Sequence, residues 1–142
     1  IIPTILSQAS SNNGNIIVGS LKQKRDFTYI EDTVRAFMLA LKSKKILGQE
    51  INIGSNFEVS IEEILNIVRR DLKINFKTVI DKKRFRPKKS EVYRLLASNN
   101  KAKKYLEWEP KFKGKSGFKV ALKKTFEWYE NYKNIKFDYY NI

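Results

Sequence analysis

Cysteine and histidine are both absent from this 142-residue chain. Their absence excludes disulfides, a thiol nucleophile, zinc fingers, histidine acid–base catalysis and any serine–histidine triad. A chain without disulfides fits a reducing compartment, so a cytoplasmic location is expected. Glycine is sparse, at 14, 19, 48, 54, 114 and 117. Those spacings never give the glycine-rich turn that lets a backbone approach a dinucleotide pyrophosphate, and they contain no phosphate-binding P-loop. Cofactor-binding and catalytic sets are therefore not expected within these residues. Acidic residues are few, 15 against 29 Lys+Arg, and no Asp/Glu-rich loop suggests a metal site. Long apolar runs are missing too. The longest, Ala36 to Leu41, falls far short of the roughly 20 residues that span a bilayer. The start, Ile1-Ile2-Pro3-Thr4, has neither an initiator Met nor a basic signal-peptide opening, which suggests a piece of a longer chain.

What is present is a folding chain. With 42% apolar residues and nine Phe, it is no disordered polycation, and one compact domain over 1–142 is expected, ending in an aromatic and basic tail at 131–142. The net charge of +14 predicts an anionic partner. Nucleic acid, an acidic membrane surface and a phosphorylated small molecule all qualify by charge.

Residues 1–10 read as a helix with Pro3 in its first turn, followed by turn-forming residues to Asn15. Ile16–Val18 reads as a strand, Leu21–Lys24 as a basic loop, and Phe27–Ile30 as a second strand. Asp32 is a candidate N-cap for a helix whose apolar face is Val34, Phe37, Met38 and Leu41. Glu50–Gly54 reads as a buried strand. Ser60-Ile61-Glu62-Glu63 is a capping box, with Val59 and Ile64 placed as a hydrophobic staple, and Ile61, Ile64, Leu65, Val68 and Leu72 share one helical face. Lys77–Ile80 reads as a strand and Asp81–Lys89 as a basic loop around Pro87. Asn99 or Asn100 is placed to cap a short helix through Ala102, Tyr105 and Leu106 that stops before Pro110. A Lys/Gly linker at 111–117 then leads to a final amphipathic helix through Phe118, Leu122, Thr125, Phe126 and Tyr129. Short strands alternating with helices argue for an α/β fold with a small mixed sheet and four to five helices.

Two further patterns bear on chemistry. Tyr129–Lys133 and Tyr132–Lys136 have the spacing at which a lysine can lower a phenol's pKa, but with no glycine-rich loop before them they read as surface residues. Residues 82–89 hold six basic side chains in eight positions, and arginine's planar fork suits bidentate phosphate recognition. The four lysines there read as solvated, and Arg25 beside Asp26 reads as either a phosphate contact or a surface ion pair. A nucleic-acid module is disfavoured. The lysines are spread over every segment, no RNA-binding aromatic motif is present, and Phe85 and Tyr93 read as core. An acidic membrane is a poorer partner still, because the basic residues line no helix face opposite aromatics.

Several segments in order resemble the substrate half of the extended short-chain dehydrogenase/reductases, the NAD-dependent nucleotide-sugar epimerases and 4,6-dehydratases. They are Gly19-Ser20-Leu21 with Arg25-Asp26-Phe27-Thr28-Tyr29-Ile30-Glu31-Asp32, then Ile51-Asn52-Ile53-Gly54-Ser55, Arg86-Pro87 with Ser90-Glu91-Val92, Lys101-Ala102-Lys103, Trp108 with Pro110, and Leu122, Thr125 and Trp128. The resemblance implies a C-terminal substrate-binding portion whose preceding Rossmann portion holds NAD or NADP and a Ser/Thr–Tyr–Lys set. It implies that Arg25 and Arg86 reach the diphosphate and nucleoside of a nucleotide-diphosphate sugar. Ile2 and Pro3 would lie near the base, and Glu91 near the nucleoside. A homodimer is implied for the full-length enzyme. The 4,6-dehydratases of the GDP-mannose or N-acetylglucosamine type look nearest, with a 4-epimerase as the alternative. In such an enzyme NAD takes a hydride from sugar C4, water leaves across C5–C6, and the hydride returns at C6. Ser98 stands where Asp is usual, Glu107 where Gly is usual, and about four residues are inserted between Pro110 and Leu122.

Overall fold

In a computed structural model, residues 1–11 and 13–133 are described. Helix α1 (Ile2–Ser10) carries Pro3 in its first turn, where the missing N–H costs nothing. It leads to β1 (Asn15–Val18), which pairs in parallel with β4 (Lys77–Ile80), Asn15 against Lys77. Around β1 and β4 lies the main core. Ile5 and Leu6 of α1, Ile16 and Val18 of β1, Val59, Phe76 and the inner face of α3 (Ile61–Asp71) meet Phe118 and Leu122 of α5 (Gly114–Tyr132). The α3 capping box forms as its sequence dictates: Ser60 Oγ accepts from the Glu63 N–H at 3.1 Å, and Glu63 Oε2 accepts from the Ser60 N–H at 2.9 Å. Val59 and Ile64 are both fully buried in this core.

A second sheet has three strands, with β2 (Lys24–Asp26) between β3 (Glu58–Ser60), antiparallel, and β5 (Arg94–Leu95), parallel. The mixed sheet expected from sequence is therefore split in two. The second strand lies three residues before the apolar stretch 27–30 expected to form it. Phe27 leaves the ladder to pack on Phe118, at 6.2 Å between ring centroids, so apolarity there marks the core and not the sheet. Glu50–Gly54 forms no ladder either. The linker at 111–117 is shorter than expected, since α5 starts at Gly114. Gly117 lies so close to Phe112 that a Cβ would sit 2.2 Å from its carbonyl carbon.

Helix α2 (Ile30–Lys42) departs from expectation at both its start and its face. Its N-cap is Tyr29, with no side-chain capping bond, and Asp32 lies inside the first turn. The side buried against α4 (Asn100–Leu106) and Trp108 is made of Ala36, Leu39 and Ala40, whereas Val34, Phe37, Met38 and Leu41 face outward. Helix α4 ends at Glu107, whose φ of 53° is the left-handed conformation that glycine adopts freely. That explains the glycine usual at this position among the sequences it resembles. Glu107→Gly is expected to stabilise the chain by about 1 kcal/mol in urea melts, and a loss of stability would contradict it.

Candidate functional site

Arg25 occupies the central strand of the three-stranded sheet, paired across to Val59 on one side and Leu95 on the other. It is half-buried, and its Nη1 donates to the Lys24 carbonyl at 2.8 Å. The ion pair with Asp26 considered from sequence does not form, because adjacent strand residues point to opposite faces. The nearby carboxylate of Glu58 is already engaged by Arg94 at 2.9 Å and Lys24 at 3.6 Å, contacts that hold it below the ordinary glutamate pKa, the Arg94 hydrogen bond most of all. Among the described residues Arg25 has no carboxylate partner.

The basic loop runs alongside this strand and is tied at both ends. At its start Arg84 donates to the Ile17 carbonyl at 3.1 Å and pairs with Asp81 at 3.4 Å. Gly19 approaches Arg84 so closely that a Cβ would stand 3.1 Å from its carbonyl oxygen. At the far end the Lys24 N–H donates to the Tyr93 carbonyl at 2.8 Å. Segments 17–25 and 84–95 are thus brought together, with Arg86 exposed between the anchors and followed by Pro87, whose carbonyl accepts from the Ser90 N–H at 2.9 Å. Glu91 is half-buried just before β5. Phe85 and Tyr93, expected in the core, are exposed on this loop.

Ile2 and Pro3 sit elsewhere, on the first turn of α1. Ile2 lines an apolar cleft of about 580 Å³ with Phe27, Tyr29, Leu122 and Trp128, while Pro3 is exposed. The link between this cleft and Arg25 is the chain itself, which passes from β2 into the cleft wall at Phe27.

Two aspartates that fix these surfaces were missed as structural centres by sequence reasoning. Asp26 accepts through Oδ1 from the Ser55 N–H at 2.7 Å and from its hydroxyl, and through Oδ2 from the N–H groups of Asn56 at 3.0 Å and Ala97 at 3.3 Å. Beside it, Gly54 and Asn99 bond reciprocally at 3.0 and 2.6 Å, so Asn99 does not cap α4 with its side chain. Asp32, 1% exposed, accepts from Arg35 at 2.9 Å, the Lys111 N–H at 2.8 Å and the Phe112 N–H at 3.1 Å. Its own carbonyl accepts from Trp108 Nε1 at 3.1 Å. Burial pushes the Asp32 carboxyl up, but the donors from Lys111, Arg35 and Phe112 outweigh it and leave the pKa below the ordinary value. The available signal was a turn at 54–56 and a proline-bounded loop at 108–112, each with backbone N–H groups needing acceptors.

A family model described as GDP-mannose 4,6 dehydratase matches residues 1–120. The chain belongs to the nucleotide-sugar epimerase/dehydratase family. The dTDP-D-glucose 4,6-dehydratase of Homo sapiens is 34% identical, over 96% of this chain and 38% of its own length. The UDP-glucuronate 4-epimerase of Thermodesulfobacterium geofontis is 38% identical, over 84% of this chain and 36% of its own. The fold is that of the UDP-glucuronic acid 4-epimerase of Bacillus cereus solved with NAD, at a TM-score of 0.75, 23% identity, and coverage of 92% of this chain and 38% of that one. The chain spans about two fifths of the length of the family members it matches, and it corresponds to a C-terminal portion of such enzymes.

Within this family portion the tyrosine–lysine spacing near the end has another use. Lys133 Nζ bonds Glu130 and the Ser10 hydroxyl, each at 2.8 Å, and ties α5 back to α1. Lys136 and the aromatic residues 137–140 lie outside the described residues. No described helix is long and apolar enough to cross a membrane.

Proposed function

We propose that this chain is the nucleotide-sugar-binding portion of an NAD-dependent nucleotide-sugar 4,6-dehydratase that works as a cytoplasmic homodimer. The observation that carries the reading is Arg25, a half-buried guanidinium with no carboxylate partner among the described residues, on a strand flanked by a second arginine-bearing loop. A cation already partly stripped of water gains more from a diphosphate than a fully solvated lysine does, and two planar forks can share its oxygens. Arg25 and Arg86 take the diphosphate in this reading, Glu91 lies toward the nucleoside, and Ile2 and Pro3 lie toward the base. The family model's description supports dehydration and a GDP-mannose-type substrate. The relative from Thermodesulfobacterium geofontis supports a 4-epimerase as the second reading.

The six glycines of this chain never take the spacing of a dinucleotide-binding turn. The cofactor belongs to the preceding portion in this reading.

In the protein that includes that portion, Arg86→Ala and Arg25→Ala are each expected to raise KM for the nucleotide sugar about 10- to 100-fold, the loss of one or two charge-assisted hydrogen bonds. GDP and UDP should raise the Tm of the unmodified protein. An unchanged KM in either variant would remove that arginine from the site. Strong, salt-sensitive affinity for RNA without any response to mononucleotides would favour a nucleic-acid module instead.

A further inference from the structure

Strand β1 offers one edge to β4 and turns the other away. The Gly14 and Val18 carbonyls accept from the Lys77 and Asp81 N–H groups, each at 2.8 Å, so in this parallel ladder the N–H and C=O of Ile17 face the opposite edge. The Gln8 side chain takes both groups. Its Oε1 accepts from the Ile17 N–H at 2.8 Å and its Nε2 donates to the Ile17 carbonyl at 3.1 Å, so one amide of α1 stands in for a neighbouring strand. The same carbonyl accepts from Arg84 Nη1 at 3.1 Å. A carbonyl has two lone pairs, and here a helix and a loop share them.

The loop that Arg84 anchors is the one that presents Arg86. Before Arg86, the Asp81 carboxylate pairs with Arg84 and accepts from the Lys83 N–H at 2.9 Å, while the Arg84 and Phe85 N–H groups donate to the Asp81 and Lys82 carbonyls, each at 3.1 Å. Gly19 closes on the Arg84 backbone from the other side, where a Cβ would stand 3.1 Å from the carbonyl oxygen. After Arg86, Pro87 has its φ fixed by its ring, and its carbonyl accepts from both the N–H and the hydroxyl of Ser90. Between these two turns only Phe85 and Arg86 remain to set where the Arg86 guanidinium lies. Arg84 is itself exposed, so its ion pair with Asp81 contributes little to stability. The contact instead orders the loop before a ligand arrives, which lowers the entropy cost of binding.

We propose that Arg84 is a positioning residue for the nucleotide-sugar site: seated on the Ile17 carbonyl that Gln8 fixes, it sets the place of Arg86 without touching the ligand. The inference rests on the reading of Arg86 as a diphosphate contact, and it names what makes that contact effective. It also joins the two ends of the site, because the helix that carries Ile2 and Pro3 and the loop that carries Arg86 meet at one carbonyl oxygen.

The test uses the protein that includes the preceding portion, with Kd measured by calorimetry for whichever of GDP, UDP and dTDP binds tightest. Arg84→Ala is expected to raise that Kd about 3- to 10-fold, the worth of about one hydrogen bond. Arg84→Lys keeps a donor for the Ile17 carbonyl and should recover most of the loss, and a Kd no better than that of Arg84→Ala counts against the proposal. The deciding measurement is the double variant. If Arg84 acts through Arg86, adding Arg84→Ala to Arg86→Ala changes Kd by no more than about twofold, whereas direct contact of Arg84 with the ligand multiplies the two effects and overturns the proposal. Hydrogen exchange reads the loop without any ligand: the Phe85 amide should exchange about tenfold faster in Arg84→Ala than in the unmodified protein, and equal rates overturn the proposal. A raised Kd in Arg86→Ala beside an unchanged one in Arg84→Ala overturns this inference alone. An unchanged Kd in Arg86→Ala overturns the diphosphate reading, and this inference with it.

Discussion

Asp32→Ala is expected to cost about 3 kcal/mol of stability, read as a fall in the urea midpoint at unchanged slope. The substitution removes three acceptor contacts at once. The Lys111 and Phe112 N–H groups lose their partner, and the Arg35 guanidinium, stacked 5.5 Å from the Trp108 ring centre, loses its buried counter-charge. Asp32→Asn keeps the shape and some of the accepting capacity, and should cost about half as much. It also isolates a pH effect. The folded Asp32 carboxyl titrates below its ordinary value, so the unfolded chain binds the proton first as pH falls. Its stabilisation is fully present above about pH 4, near the ordinary carboxyl value, and is lost as pH drops through the folded value. The difference between wild type and Asp32→Asn should therefore shrink on acidification, and a difference independent of pH between 5 and 2 would contradict the assignment.

The second large effect is expected at Asp26. Asp26→Ala strips the 55–56 turn and Ala97 of the carboxylate that holds them to β2, with an expected loss of about 2 kcal/mol. Gly54→Val tests the same junction from the other side. Any Cβ at Gly54 would lie 2.4 Å from the Ala97 Cβ and 2.8 Å from the Asp26 carboxylate, so the turn must move. If the proposed function holds, both changes should raise KM for the nucleotide sugar in the full-length enzyme while leaving Arg25 itself intact. If Asp26→Ala melts within 0.5 kcal/mol of wild type, the junction is not the clamp described here.

Local signals were legible where the chain supplies both halves of an interaction. The capping box at Ser60 and Glu63, the face of α3 and the strand at 77–80 all depend on residues close in sequence or on strict periodicity. The reading weakened where one residue answers to a distant one. Nothing near Asp32 shows that its partners lie about eighty residues downstream, so it passed for an N-cap. Nothing near Phe27 shows that it packs on α5 instead of joining a ladder. The outward stripe of α2 passed for the core face because periodicity reports that a face is apolar, not what covers it. At the candidate site, Arg25 and Arg86 were singled out by residue type and family order. The neighbouring clamp at Asp26 was not, since its work is done through backbone donors that a sequence does not display.

The parallel pairings carry a consequence for how the chain reaches its fold. Joining Asn15 to Lys77, and Lys24 to Arg94, closes loops of about sixty to seventy residues before either ladder can form. Such non-local pairing slows folding, and it places the last strand, β5, late in synthesis. Helix α2 lies well upstream of β5, while the residues its inner face packs on, in α4 and at Trp108, come later still. Its apolar outer stripe is therefore on display throughout the slow search, and exposed apolar surface at that stage invites aggregation.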